Sequence, residues 1–100
     1  MFKAIILLTR RDDMSAEAFA DWWLVRHAPL ARTLPGLRRL TFNLVTNGGS
    51  IDGVSELWFD TQAAFEAAYA SRVGQQVAAD SMAHVAKRER LLVAEHPQLS

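Results

Sequence analysis
Three short segments of this 100-residue chain carry neighbouring apolar side chains: Ile5-Ile6-Leu7-Leu8, Leu57-Trp58-Phe59 and Leu91-Leu92-Val93. Successive side chains of a strand point to opposite faces, so each segment is oily on both sides of any sheet it joins. Helices of the same chain can roof one face. The other needs a cover of its own, because contiguous apolar patches beyond about a few hundred Å² are uncommon on monomers. A twin sheet stacked on that face is the simplest cover, and a homodimer is expected.

The remaining elements follow from periodicity. Lys3 to Thr9 reads as a strand, ended by Arg10-Arg11-Asp12-Asp13. Ser15 is a good helix N-cap with Glu17 in the first turn, and Ala16, Phe19, Trp22, Trp23 and Leu30 share one helical face. Pro29 lacks an amide hydrogen and disfavours helical geometry at Ala28, predicting a kink or break near His27. Pro35-Gly36 matches the centre of a type II turn. Leu37 to Thr46 alternates, with Leu40, Phe42 and Leu44 on one face and Arg39, Thr41 and Asn43 on the other. Asn47-Gly48-Gly49-Ser50 is loop chemistry before a strand over Val54 to Phe59. Asp60 is the expected cap of a second helix, which Ser71 and Gly74 interrupt before a further helical piece ending near Ala83. Arg88 to Ala94 is the last strand, and residues 95–100 form an arm without periodicity.

Strand, helix, strand, strand, helix, strand with right-handed crossovers is an α+β, ferredoxin-like βαββαβ arrangement: a four-stranded antiparallel sheet with helices on one face. Residues 1–100 make a single domain. Eleven basic and eleven acidic residues cancel and no basic stripe runs along any element, which argues against nucleic acid. The absence of cysteine excludes thiolate chemistry and disulfides. No apolar run reaches membrane-spanning length, and Met1-Phe2-Lys3 lacks the pattern of a signal peptide, so a cytoplasmic location is expected.

Alternation places Arg39, Asn43, Glu56 and Trp58 on the face away from the helices, inside the expected dimer. Glu56 there is either a proton donor or acceptor beside an indole, or half of a structural ion pair. Trp58 and Asn43 offer an indole wall and one amide to orient a small apolar molecule. His27 lies one turn beyond Trp23, at a helix end whose dipole favours the imidazolium. It is a candidate acid, base or ligand, or simply a bond to the carbonyl freed by Pro29. His84 and His96 read as packing and surface residues, and three histidines on separate elements do not form a metal spacing, so no metal is expected. Phe19, Trp22, Trp23 and Tyr69 read as core.

The stretches Leu7 to Met14, Ser15 to Trp23, His27 to Arg39 and Asp52 to Asp60, with Gly74-Gln75-Gln76 and Ala79-Asp80, resemble the EthD domain. That family is named from ethyl tert-butyl ether degradation and belongs to the dimeric α+β barrels. The likeness spans nearly the whole chain and is weakest from Met82 to Arg90. It implies a two-sheet dimer and carries over the histidine before Ala28-Pro29-Leu30 as functional, with Glu56 beside it. Relatives include isomerases, dehydratases, decarboxylases and accessory proteins of oxidative degradation.

The leading expectation is thus a cofactor-free enzyme of catabolic or secondary metabolism, of isomerase or lyase type, acting on a small, partly apolar carbonyl compound or lactone. His27 and Glu56 would be catalytic; Arg39 or Asn43 would hold an oxyanion and Trp58 would bind substrate. The alternatives are an oxidoreductase, namely a cofactor-independent monooxygenase, and a non-catalytic accessory protein of a pathway such as ether degradation.

Overall fold
The computed structural model describes residues 1–99. Strand β1 (Phe2–Arg10) leads to α1 (Ala16–Asp21), a π-helical turn (Trp22–His27) and α2 (Ala28–Ala31). A hairpin of β2 (Arg39–Leu44) and β3 (Gly53–Phe59) follows, then α3 (Gln62–Ala70), α4 (Arg72–His84) and β4 (Val85–Val93). The strands are ordered β2-β3-β1-β4 with every neighbouring pair antiparallel, which is the predicted ferredoxin-like sheet. Among the described residues, no helix is long and apolar enough to cross a membrane.

Register fixes the faces. Ala4, Ile6 and Leu8 pair with Leu57, Ser55 and Gly53, and Leu57, Ser55 and Gly53 pair with Leu40, Phe42 and Leu44. The buried members of these rows pack with Phe59 against Phe19, Trp22, Trp23, Phe65 and Val77 to form the core. Two glycines permit this closeness. A Cβ on Gly53 would meet Trp23 Cη2 at 2.7 Å, and one on Gly74 would meet the backbone of Ala68 and Tyr69, where α3 and α4 approach. Gly36 has φ +77°, as the type II turn requires.

Several local expectations shift. The helix does not break at Pro29. It widens instead: Ala28 N–H bonds Trp23 O, five residues back, and Ala28 keeps helical angles. A proline ring clashes with the carbonyl four residues before it in an α-helix, and the wider turn moves that carbonyl aside. Thr61 rather than Asp60 caps α3, its hydroxyl accepting from Ala64 N–H at 3.1 Å. Strand β4 starts at Val85, directly out of α4, because a β-branched residue takes up extended geometry there (φ −122°, ψ 152°).

The opposite face of the sheet bears Ile5, Leu7, Val54, Leu91 and Val93 around a polar cluster at one end. Leu91 is exposed, whereas Ile5, Leu7, Val54 and Val93 are half-buried. Both faces of the sheet thus carry apolar side chains, as the three oily segments require.

Candidate functional site
His27 closes the π-helical turn, and the turn aims its ring between the helices and the sheet, where it is 4% exposed. Its Nδ1 lies 2.7 Å from Asp80 Oδ2 on α4. The same carboxylate oxygen accepts from Trp22 Nε1–H at 3.2 Å. His84, one turn further along α4, stacks on the Trp22 indole at 4.6 Å and places its Nδ1 2.8 Å from Asp80 O. Asp80 therefore joins two helices through three aromatic rings.

Burial holds the His27 imidazole below its ordinary value, outweighing the opposing pull of Asp80. Whatever a helix-end dipole contributes in favour of the imidazolium, desolvation is the larger influence here. A neutral ring facing a carboxylate carries its proton on Nδ1, which leaves the Nε2 lone pair free. Nε2 faces Ser81 Oγ at 3.4 Å. Ser81, His27 and Asp80 stand in the order of a nucleophile relay, but that separation is too long for a good hydrogen bond, and Ser81 lies within α4 rather than at a presenting turn.

His27 and Ser81 both line a small cavity of about 10 Å³, room for roughly one water molecule. Its walls are apolar (Ile6, Leu8, Leu57, Val77) with Ser55, Tyr69, Ser81 and Arg88 as the polar groups. The Arg88 guanidinium lies 5.7 Å from the Tyr69 ring centre, and its Nε is buried without a hydrogen-bond partner. Burial raises the Tyr69 phenol above its usual value, so its hydroxyl remains a donor at neutral pH. One neutral base and the donors Tyr69 and Arg88 thus line one small space.

The structure divides the five predicted site residues. Arg39, Asn43, Glu56 and Trp58 lie on the far face of the sheet, as alternation indicated, but His27 lies beneath the helices. The expectation of one pocket shared by His27, Glu56 and Asn43 is therefore corrected, because the sheet itself stands between them. Glu56 pairs with Lys3 Nζ at 2.9 Å and accepts from Asn43 Nδ2 at 3.0 Å, which hold its carboxyl below the usual range. It is an ionised partner at neutral pH. Lys3 and Arg39 flank the Trp58 indole at 4.7 and 4.5 Å, and Glu95 of the terminal arm accepts from Trp58 Nε1–H at 3.3 Å. This cluster is a cation–π and ion-pair network.

An EthD domain profile matches residues 11–88. The chain belongs to the EthD family. Within the EthD domain the match takes in every polar group of the cavity, from His27 to Arg88. No curated protein matches the chain. Among solved structures, an ethyl tert-butyl ether degradation family protein from Bacillus halodurans superposes with a TM-score of 0.84 at 22% identity, covering 96% of this chain and 100% of that one. SnoaB, a cofactor-independent oxygenase from Streptomyces nogalater (mutant N63A), gives 0.74 at 18% identity, over 98% and 95%. A dimeric ferredoxin-like protein of unknown function from Thermobifida fusca gives 0.77 at 17%, over 94% and 90%. At these identities the likeness establishes the fold.

Sequence reasoning missed Ser81, Ser55, Tyr69 and Arg88 as members of the cavity, and Asp80 as the partner of His27. One of them carried a signal. Ser55 falls in the helix-facing phase of β3 among Leu57 and Phe59, and Arg88 in the helix-facing phase of β4 opposite Leu8. Ser55 stands alone as a polar group in an otherwise apolar phase, the mark of a cavity wall, whereas Arg88 shares its phase with Arg90, which lies over Phe65.

Proposed function
We propose that the chain is a proton-transfer enzyme acting on a small, partly apolar carbonyl compound or lactone, with His27 as the base. The carrying observation is the orientation of His27: Nδ1 is anchored on Asp80 at 2.7 Å while Nε2 faces Ser81, and both His27 and Ser81 line the cavity. A proton leaves the carbon next to the carbonyl for Nε2, and the bonding pair moves onto the carbonyl oxygen. Arg88 and the Tyr69 hydroxyl supply the donors that an enolate oxygen needs. Return of the proton at another carbon isomerises the compound; expulsion of a leaving group makes the reaction a lyase. Base catalysis of this kind contributes about a hundred- to ten-thousandfold. Neither route requires a cofactor, because only a proton and electron pairs move.

The apolar far face supports a homodimer in which Ile5, Leu7, Val54, Leu91 and Val93 meet their counterparts, and Glu56, Asn43, Arg39 and Trp58 serve that interface rather than the reaction. The dimeric description of the Thermobifida relative agrees with this reading. Oxygenation is the second reading, favoured by the apolar residues that line the cavity beside His27 and by the description of SnoaB. There the same base would deprotonate a phenol, and molecular oxygen would be the co-substrate.

Deuterium incorporation from D₂O into a panel of ketones and lactones, followed by NMR, tests the proposal across the whole substrate class at once. Exchange by the native protein and its loss in His27→Ala is the expected result. Equal exchange in the two proteins would rule out His27 as the base, and oxygen uptake with phenolic substrates in place of exchange would favour the second reading.

A further inference from the structure
The closed cavity is too small for any organic substrate, so a larger space must connect with it. A groove of about 520 Å³ runs along the free edge of β2, a volume typical of small-molecule sites. It shares two wall residues with the cavity, Leu40 and Phe42. Phe42 is the partition. Its ring stacks on Trp23 at 4.4 Å and 5°, and lies over the His27 ring at 6.2 Å. Among the described residues no strand lies beyond β2 to hold that edge. Leu40 and Phe42 project toward the helices, away from the face proposed to pair with a second subunit.

The groove has a consistent chemistry. Leu24 and Leu37 give it apolar walls, and Arg32, Arg38 and Arg39 also line it. Asp60 neutralises one of these, gripping Arg38 at 3.2 and 2.8 Å, while Arg39 rests on Trp58. Among the described residues Arg32 has no carboxylate partner. Apolar walls ending in the Phe42 ring, with the Arg32 guanidinium left over, suit a planar anion, because guanidinium groups both stack on aromatic rings and fork onto carboxylates.

We infer that this groove binds a planar aromatic carboxylate that also bears a carbonyl group, with its acid group on Arg32 at the mouth and its carbonyl-bearing end directed at Phe42, whose displacement joins the groove to the His27 cavity. The inference deepens the proton-transfer reading and rests on it for the identity of the reacting end. Recognition of the anion, however, requires no turnover.

The test uses 2-naphthoate and its neutral counterpart 2-naphthalenemethanol as probes, with binding followed by NMR shifts and tryptophan quenching on the whole protein. Naphthoate is expected to bind more tightly by about tenfold, the worth of one charge-assisted hydrogen bond. Arg32→Gln should remove that advantage and leave the alcohol unchanged. Phe42→Leu should speed binding and enlarge the shift of the His27 ring. Since Phe42 also packs on Trp23, Arg32→Gln keeps the test decisive even if Phe42→Leu unfolds. His27→Ala should bind naphthoate like the native chain while losing deuterium exchange, which separates the failure of the groove from the failure of the base. Equal affinity for the two probes, an unchanged preference in Arg32→Gln, or shifts centred away from the β2 edge would each overturn the inference.

Discussion

Replacing Asp80 with alanine removes the acceptor shared by His27 Nδ1 and Trp22 Nε1, at 2.7 and 3.2 Å. Both rings are buried, and Asp80, whose side chain is 28% exposed, lets water recover part of the lost bonding. Each buried donor left without a partner costs about 1–3 kcal/mol, hence the lower part of about 2–6 kcal/mol for the pair. The His84 contact at 3.4 Å is partly solvated and adds little. A chain of this size has only about 5–15 kcal/mol in hand, and even the lower figure lowers the melting temperature by about 8–16 °C. Urea unfolding of Asp80→Ala and Asp80→Asn beside the native protein gives the comparison. Asparagine retains an oxygen acceptor and should lose less than half as much stability. It should nonetheless lose most deuterium exchange, because an amide no longer stabilises the imidazolium formed when Nε2 takes a proton. A change in Asp80→Ala below about 0.5 kcal/mol, within the range of ordinary surface substitutions, would refute Asp80 as the link between the two helices.

Further outcomes follow from the same geometry. His27 titrates below its ordinary 6.5 in the folded chain, so the unfolded chain binds the extra proton between that lowered value and about 6.5. Stability should be complete above about pH 6.5 and fall as the pH drops through the folded value; His27→Gln should flatten this slope in pH-resolved calorimetry, and an unaltered slope would show that another group causes it. Glu56→Gln should leave deuterium exchange intact and cost about 1 kcal/mol or less, since Lys3 keeps Glu95; a tenfold loss of exchange would return Glu56 to the chemistry. Leu91→Glu should convert the dimer to monomer in sedimentation at micromolar concentration, and a monomeric native protein would dispose of the paired-sheet reading.

The alternation of Leu40, Phe42 and Leu44 against Arg39, Thr41 and Asn43 was legible because a strand has a period of two, and it sorted the sheet faces correctly. The location of the cavity was not. Reasoning from polar side chains on the open face led to Glu56 and Asn43, but these are satisfied by Lys3 and by each other. The partner of His27 stands 53 residues away on a different helix, a separation that no local periodicity encodes. The direction of the Glu56 shift depended on the same kind of fact: Lys3 reaches it only through the pairing of β1 with β3. The π-helical turn was foreshadowed by Pro29, although as a break rather than a widening.

That widened turn constrains how this chain can change. Successive residues of an α-helix are rotated by about 100°, so deleting one residue between Trp22 and His27 would regularise the backbone while swinging the imidazole off its carboxylate. Tightening the coil and keeping the base aligned are therefore opposed in this lineage. Shortened variants that fold well yet exchange nothing would be the visible trace of that conflict.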